Sequence, residues 1–410
     1  MTYSQSEVEQ YIAEEDVKFI RLAFTDIFGV QKNVSIMPRE LSRAFSDGIS
    51  IDASAIPGFG GEVRSDLILH PDPGTLAVLP WRPERGRVVR MFCAITHPDG
   101  TAFAYDTRAI LQRAVADAQA QGYSFSFGPE LEFYLFQRDE NGEPTKTPYD
   151  RAGYMDVSPI DKGENIRREI CLILDQMGLE PESSHHEGGP GQNEIDFRYS
   201  DPVSAADAMT TFRFVVNTIA TLNGLYADFS AKPLPSHPGN GLHINLSVHS
   251  FDSPQRDVLK YALAGLLEHI CETTLFYNPT QNSYLRFGGE KAPLFVSWSE
   301  ENRSMLARIP AAHGDYRRVE LRSPDPTCNP YIAFTLAIRA ALDGIKRELE
   351  LPEPIDFNLY HAPEETTQRF KRLPERFDKA AALALESPFI AQCLPRELIE
   401  NYAYRYRNNR

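Results

Sequence analysis

Four short segments of this sequence alternate apolar residues with ionisable ones, and carboxylates dominate the ionisable set. In GPELEFYLF, Glu130 and Glu132 lie two apart, so on a strand they share one face while Leu131, Phe133 and Leu135 take the other. In NEIDFRY, Glu194, Asp196 and Arg198 share a face opposite Ile195, Phe197 and Tyr199. In GLHINLSV, His243, Asn245 and Ser247 oppose Leu242, Ile244, Leu246 and Val248; in RRVELRS, Arg318, Glu320 and Arg322 oppose Val319 and Leu321. A single strand of this kind is more often one solvated face of a sheet. Four together hold five carboxylates, one histidine and three arginines with no lysine, which is not the changing Lys, Thr, Ser and Gln mixture of a wet face. Carboxylates side by side repel unless cations sit among them.

Carboxylate oxygens with a single imidazole and no thiolate suit a hard divalent ion, Mg²⁺ or Mn²⁺, rather than structural zinc. The segment SSHHEGGPGQNE brings a sixth carboxylate, Glu187, beside a glycine-rich turn. His185 and His186 stand next to it, but a lone histidine is more often structural than a ligand, and neither is counted. A second cluster is cationic: Arg286, Arg303, Arg308, Arg318 and Arg322. Each alone reads as a surface residue. Beside a hard-metal cluster their rigid forks point to phosphoryl transfer, with charge neutralised by both metal and arginine. No GxxxxGK(S/T) loop and no GxGxxG between a strand and a helix occurs, so ATP, if it binds, lies on a sheet rather than on a helix N-terminus.

The elements that must position these groups follow from periodicity. Residues 1–102 read as a small α+β domain: Lys18–Phe24 alternates, Gln31–Ile36 pairs with it after a turn at Asp26–Gly29, and Gly86–Thr96 is a third strand. Pro57–Gly61 and Pro71–Gly74 are turn-rich loops. Residues 103–410 form the larger domain, opened by a helix with Thr107 as N-cap and Gly122 just past its end. A further helix carries Ile166, Ile170, Ile173, Leu174 and Met177 on one face, and residues 203–223, 255–276 and 330–348 are also helical in pattern.

Composition narrows the function. Across 410 residues, 42 basic against 57 acidic side chains give a net charge of −15, a field that repels nucleic acid and anionic lipid. Five scattered cysteines with no CxxC pair predict free thiols, hence a reducing, cytoplasmic setting. The acidic start MTYSQSEVEQYIAEED does not read as a signal peptide, and no apolar run reaches the roughly 18 residues of a membrane helix.

The same segments resemble the bacterial type I glutamine synthetase family over nearly the whole chain. The resemblance runs through VKFIRLAFTDIFG, SDLILHPD, GPELEFYLF, HHEGGPGQNEIDFRY, NGLHINLS, NPTQNSYLRF, NRSMLARIP and RRVELRSPDPTCNPY, in the family's order. It implies an α+β protein with an N-terminal β-grasp domain and a C-terminal catalytic domain of antiparallel sheet flanked by helices. It further implies a homo-oligomer, a hexameric ring or dodecamer, with active sites between subunits. By resemblance, Glu132, Glu187 and Glu194 ligate the metal near the acceptor, and Glu130, His243 and Glu320 the metal that holds the nucleotide phosphates. That makes two or more Mg²⁺ or Mn²⁺ ions per active site. Arg286 and Arg322 correspond to residues gripping glutamate, with Gly239 in the same subsite, and Arg303 and Arg308 to those around the transferred phosphate. Tyr199, Ser247 and Arg318 fall where the family contacts the nucleotide, while Asp52 matches the aspartate that helps deprotonate ammonium and Tyr154 the tyrosine beside it. The implied reaction joins L-glutamate and ammonia at the cost of ATP through γ-glutamyl phosphate.

Departures from the family pattern keep the acceptor open between ammonia and an organic amine. Asp52-Ala53-Ser54-Ala55 and Pro238-Gly239-Asn240-Gly241 replace the usual Asp-Gly-Ser-Ser and Asn-Gly-Ser-Gly. In the flap, Glu-Ala-Pro becomes Gly288-Gly289-Glu290-Lys291-Ala292-Pro293, so either Lys291 or a shifted Glu290 takes the place of the glutamate that closes the ammonium site. Asn245 stands for a second histidine, and Tyr360 aligns with a tyrosine that some relatives adenylylate. The chain stops at RYRNNR, short of the extension that ties two rings together, which predicts a single ring or a weaker double one. A guanidino-kinase-like phosphotransferase lacks the amino-acid grip of Arg286 with Arg322, and a non-catalytic member would lose metal-ligating residues; both readings are disfavoured by what is present.

Overall fold

The computed structural model describes residues 3–60, 65–81, 86–251, 257–289, 291–310 and 317–406. Contacts within the chain gather it into two units, residues 1–110 with 172–179, and residues 111–171 with 180–410.

In the first unit, α1 (Gln5–Glu14) opens with a capping box: the Glu7 N–H donates to the Ser4 hydroxyl at 3.4 Å, and the Glu7 carboxylate accepts from the Ser4 N–H at 2.7 Å. Strands β1 (Val17–Thr25) and β2 (Gln31–Ile36) form the expected antiparallel hairpin. Asp26 makes the turn, its carboxylate accepting from the N–H groups of Phe28 and Val30, each at 3.0 Å. After α2 (Leu41–Ser46) come β3 (Ile49–Asp52), β4 (Asp66–Pro71), β5 (Ala77–Val78) and β6 (Arg87–Thr96). The sheet order is β2-β1-β6-β4-β3, with β5 on β6 and a parallel β1–β6 pair at its centre. Buried Ile20, Leu22, Val89 and Met91 form its core.

The chain leaves this unit along α3 (Thr107–Ala120). Thr107 is the helix's first residue rather than its N-cap. Asp106 takes that role, accepting from the N–H groups of Arg108 and Ala109 at 3.1 Å each, because a carboxylate one residue earlier reaches the free amides better than the Thr hydroxyl, which pairs with Thr25 at 3.2 Å.

The second unit is built on β7 (Tyr123–Arg138), sixteen residues long and nearly twice the GPELEFYLF segment. Next come β8 (Pro144–Pro148), α4 (Glu164–Gln176, whose residues from 172 on group with the first unit), β9 (Pro181–His186), β10 (Gln192–Phe197), α5 (Pro202–Leu222), β11 (Leu225–Asp228) and β12 (Leu242–Ser250). They lead to α6 (Leu259–Tyr277), β13 (Trp298–Ser299), β14 (Ala307–Arg308), β15 (Val319–Leu321) and α7 (Pro330–Arg347). The sheet order is β13-β14-β15-β12-β7-β10-β9, with β8 and β11 also on β7. Its apolar face is covered by helices: Phe133 and Phe197 meet Phe212 of α5 at ring distances of 5.8 and 5.4 Å, and Phe127 stacks on Phe334 of α7 at 4.2 Å. That leaves the opposite face, with its carboxylates, to line a cleft. Among the described residues no helix is long and apolar enough to cross a membrane.

Candidate active site

Strand register assembles the site. Across the antiparallel sheet Ser183, Asp196, Glu130 and His243 stand in one row, and His185, Glu194 and Glu132 in the next. Asn245, Glu320 and Arg308 make a third row through β12, β15 and β14. Opposed side chains in such pairs sit about 4.5–5.5 Å apart, so carboxylates on different strands become neighbours. Glu187 arrives from the β9–β10 turn, which is closed by its own N–H donating to the Gln192 carbonyl at 2.8 Å. Behind that turn, buried His186 bonds Asp150 at 2.9 Å, and its Nδ1 donates to the Glu187 carbonyl at 2.7 Å.

Glu130, Glu132, Ser183, His185, Glu187, Glu194, Asp196 and His243 line a cleft of about 1360 Å³ together with Tyr154, Arg303, Arg308, Arg318, Arg322 and Lys291. Ligand atoms of Glu130, His243 and Glu320 lie within 4.8 Å of one another, as do those of Glu132, Glu194 and His243, and those of His185, Glu187 and Glu194. The donor chemistry fits hard divalent ions: carboxylate oxygens with imidazole and no sulfur. The electrostatics agree. Burial, with the charges of Glu132, Asp196, Glu187 and Glu130, pushes the Glu194 carboxyl well above its ordinary range. Asp196 is raised to about 6 by burial and by Glu130. Against the same burial, hydrogen bonds from His243 and Asn245 bring Glu130 down to about 2. Such a crowded set is balanced when cations enter it.

The cationic half is prepositioned. Arg308 and Arg322 both grip Glu320, whose carboxyl is held below its usual range by Arg322 and His243 despite burial. Arg318 donates through Nε to Asn245 at 3.0 Å, and Asn245 in turn donates to Glu130 at 2.8 Å, so this asparagine links the arginine to the carboxylate row. Arg303 is exposed on the cleft wall.

Other residues singled out from sequence sit differently. Arg286 is 2% exposed, does not line the cleft surface, and donates to the backbone carbonyls of Ser323 and Pro324. Gly239 has a packing reason of its own: a Cβ there would lie 2.3 Å from the Ala231 carbonyl and 2.8 Å from Arg286 Cγ. Ser247 is buried and donates to the Arg317 carbonyl at 3.1 Å, and the buried Tyr199 hydroxyl has no hydrogen-bond partner among the described residues. Asp52 ends β3 in the first unit, its carboxyl lowered chiefly by hydrogen bonds from Ser54. Arg198 leaves the carboxylate row altogether, because β10 ends at Phe197 and the arginine turns to Glu180 at the surface. Asn240 is structural, donating to the carbonyls of Asp228 and Ser230 at 3.1 and 2.9 Å. Glu290 lies outside the described residues.

Two members of the site, His185 and Asp196, have no role in the sequence reading, and a third, Lys291, is placed there at the flap without its partner. His185 stands two residues before Glu187 on the strand face shared with Ser183, a period-two signal that was present in SSHHE. Asp196 shares the alternating face of NEIDFRY, but nothing in that pattern gives it a role. Lys291 donates to Glu187 Oε2 at 2.6 Å and lies 4.4 Å above the Tyr154 ring; its pKa is raised against burial by Glu187 and by the charges of Glu132 and Glu194. No local pattern in the sequence marks that contact.

Comparison with known proteins matches this architecture. The glutamine synthetase β-grasp domain matches residues 16–98, and the glutamine synthetase catalytic domain matches residues 104–409. A glutamine synthetase of Methanosarcina mazei is 41% identical over 97% of this chain and 92% of its own length. One from Clostridium saccharobutylicum is 41% identical over 98% of this chain and 93% of its own. Among solved structures, a GmaS/ADP complex superposes with a TM-score of 0.88 at 26% identity, covering 99% of this chain and 95% of that one. The Plasmodium falciparum glutamine synthetase, at 21% identity and a TM-score of 0.87 over 100% of this chain and 96% of its own, shares the fold. The chain belongs to the glutamine synthetase family.

Proposed function

We propose that this enzyme is an ATP-dependent ligase that joins L-glutamate to ammonia, giving L-glutamine, ADP and phosphate through γ-glutamyl phosphate. The observation that carries the reading is the cleft itself, where a carboxylate–imidazole cluster fit for divalent ions faces Arg303, Arg308 and Arg322. By the family resemblance Glu132, Glu187 and Glu194 would hold one Mg²⁺ or Mn²⁺ ion; Glu130, His243 and Glu320, whose ligand atoms lie within 4.8 Å of one another, would hold another. When bound, such ions neutralise phosphoryl oxygens and orient them for in-line transfer.

The chain's own residues do the rest. Arg308, already fixed on Glu320, presents its guanidinium beside Arg303 in the cleft where phosphoryl charge develops, and Arg322, fixed on the same carboxylate, serves the glutamate end. The glutamate γ-carboxylate oxygen attacks the γ-phosphorus of ATP and ADP leaves; ammonia then attacks the acyl carbon and phosphate leaves. Ammonium must first lose a proton to a carboxylate, and Asp52, ionised through its Ser54 hydrogen bonds, is assigned that role. Tyr154 borders the acceptor; Tyr199, Ser247 and Arg318 border the nucleotide; Arg286 and Gly239 shape the glutamate end. The family resemblance implies a homo-oligomeric ring in which Asp52 of one subunit serves the cleft of the next.

One observation favours an organic amine instead: Lys291 places a cation on Glu187, beside Tyr154, where ammonium would otherwise be attracted. The test is phosphate release from ATP with Mg²⁺ and glutamate, with ammonium in one series and alkylamines, polyamines and arylamines in another. Saturable turnover with ammonium supports glutamine formation. Turnover confined to an organic amine moves the acceptor, and none in either series overturns the ligase reading.

A further inference from the structure

The two halves of the carboxylate cluster are neutralised in different ways. Glu320 is held by two arginines, Arg308 opposite it in the β14–β15 register and Arg322 two residues further along its own chain. Glu187, buried with a side chain 4% exposed, is held by Lys291, whose side chain is 42% exposed and comes from a loop. The loop is tight: the Gly288 N–H donates to the Ala292 carbonyl at 2.9 Å and the Ala292 N–H to the Gly289 carbonyl at 3.0 Å. Lys291 itself has φ of 61°, a left-handed conformation that a long side chain adopts at a cost. The backbone is therefore bent to bring this ammonium to the cluster. There it sits 2.6 Å from Glu187 Oε2, with the Tyr154 ring beneath it at 4.4 Å, a carboxylate and an aromatic face together forming a cradle for one positive charge.

Glu187 Oε2 cannot give its full charge to two cations. A divalent ion at Glu132, Glu187 and Glu194 would meet a fixed ammonium on one of its own ligands, and at this range repulsion in a partly buried site is large. From that geometry we propose that Lys291 is a tethered counter-ion that competes with the divalent metal for Glu187, lowering the metal affinity of this half of the site and leaving the Glu130–His243–Glu320 half untouched. The inference rests on the reading of Glu132, Glu187 and Glu194 as metal ligands. It gives the chain a way to keep a buried acidic triad balanced before metal arrives, and makes the flap lysine the group that metal must displace.

The test uses the full chain stripped of metal and titrated with Mn²⁺ alone, free Mn²⁺ being followed by electron paramagnetic resonance and heat by calorimetry. No nucleotide or amino acid is present, so the outcome does not depend on the substrate. Lys291→Met and Lys291→Gln keep length and remove charge. Each should tighten one class of Mn²⁺ site by about tenfold or more while the other class is unchanged. Glu187→Gln should weaken that same class. If Glu187→Gln weakens Mn²⁺ binding but both Lys291 variants bind as the parent does, or more weakly, Lys291 is not a competitor and the ligand assignment survives. If Glu187→Gln leaves Mn²⁺ binding unaltered, the assignment fails and the inference falls with it.

Discussion

Glu132 and Glu194 stand directly opposite each other in the antiparallel β7–β10 pair, both buried, on a sheet whose other face is packed with phenylalanines. Like charges so placed destabilise a strand pair unless a cation joins them. The pair is thus a site where folding and ligand binding want opposite things.

The first prediction follows from that conflict. In metal-free protein, Glu194→Gln should raise the free energy of unfolding by about 1 kcal/mol, since it removes a buried charge repelled by four neighbouring carboxylates. With saturating Mn²⁺ the order should reverse, because the parent gains stability from binding that the variant has lost. Urea unfolding with and without Mn²⁺ reads both. A variant less stable than the parent in the absence of metal would show that Glu194 is not strained by its neighbours.

Asp106 caps α3 and is fully buried, accepting from the N–H groups of Ile95, Arg108 and Ala109 at 3.0 to 3.1 Å. Asp106→Ala should cost about 2–4 kcal/mol, a lost cap together with buried amides left unpaired. Asp106→Asn, which retains an acceptor oxygen, should cost clearly less. Equal losses in the two variants, by chemical denaturation, would mean the capping bonds carry little.

Helices α6 and α7 cross where Gly265 and Gly344 meet. A Cβ on Gly265 would lie 2.0 Å from the Ala340 carbonyl, and one on Gly344 2.1 Å from the Tyr261 carbonyl. Backbone cannot yield as a flexible side chain does, so Gly265→Ala and Gly344→Ala should each destabilise by about 3 kcal/mol or prevent folding. An alanine variant with a parental melting temperature would show that the helices are free to separate.

His269 bonds Asp343 at 2.8 Å and is also paired with Glu272, while its ring stacks on Phe389 at 3.7 Å. Burial opposes its charge, but the two carboxylates prevail and raise its pKa above 6.5. A group with a raised folded-state pKa adds stability that is complete below the unfolded value and is lost as pH rises through the folded value. Stability should therefore fall from about pH 6.5 upward by an amount that His269→Gln removes. Unfolding midpoints at successive pH values for both proteins give the difference. Parallel curves would exclude His269 as the source.

The alternation of Glu130, Glu132, Glu194, His243 and Glu320 with apolar neighbours was legible because side-chain direction on a strand is a local property with a period of two. The same holds for the long helices: 203–223 and 330–348 appear as Pro202–Leu222 and Pro330–Arg347, where apolar stripes meet proline starts after Asp201 and Asn329. Residue chemistry likewise points to hard cations, because a donor set of carboxylates and imidazole without thiolate is a property of residue type alone.

Tertiary structure decided what local pattern cannot carry. Register between strands far apart in sequence brings Asp196 beside Glu130 and Glu320 beside Arg308. The early end of β10 sends Arg198 to the surface, and burial among carbonyls takes Arg286 off the cleft wall. Lys291 reaches Glu187 across 104 residues of chain from a loop with no periodicity of its own. Which loop tip meets which strand depends on long-range pairing and on the burial it permits, and only the folded chain expresses either.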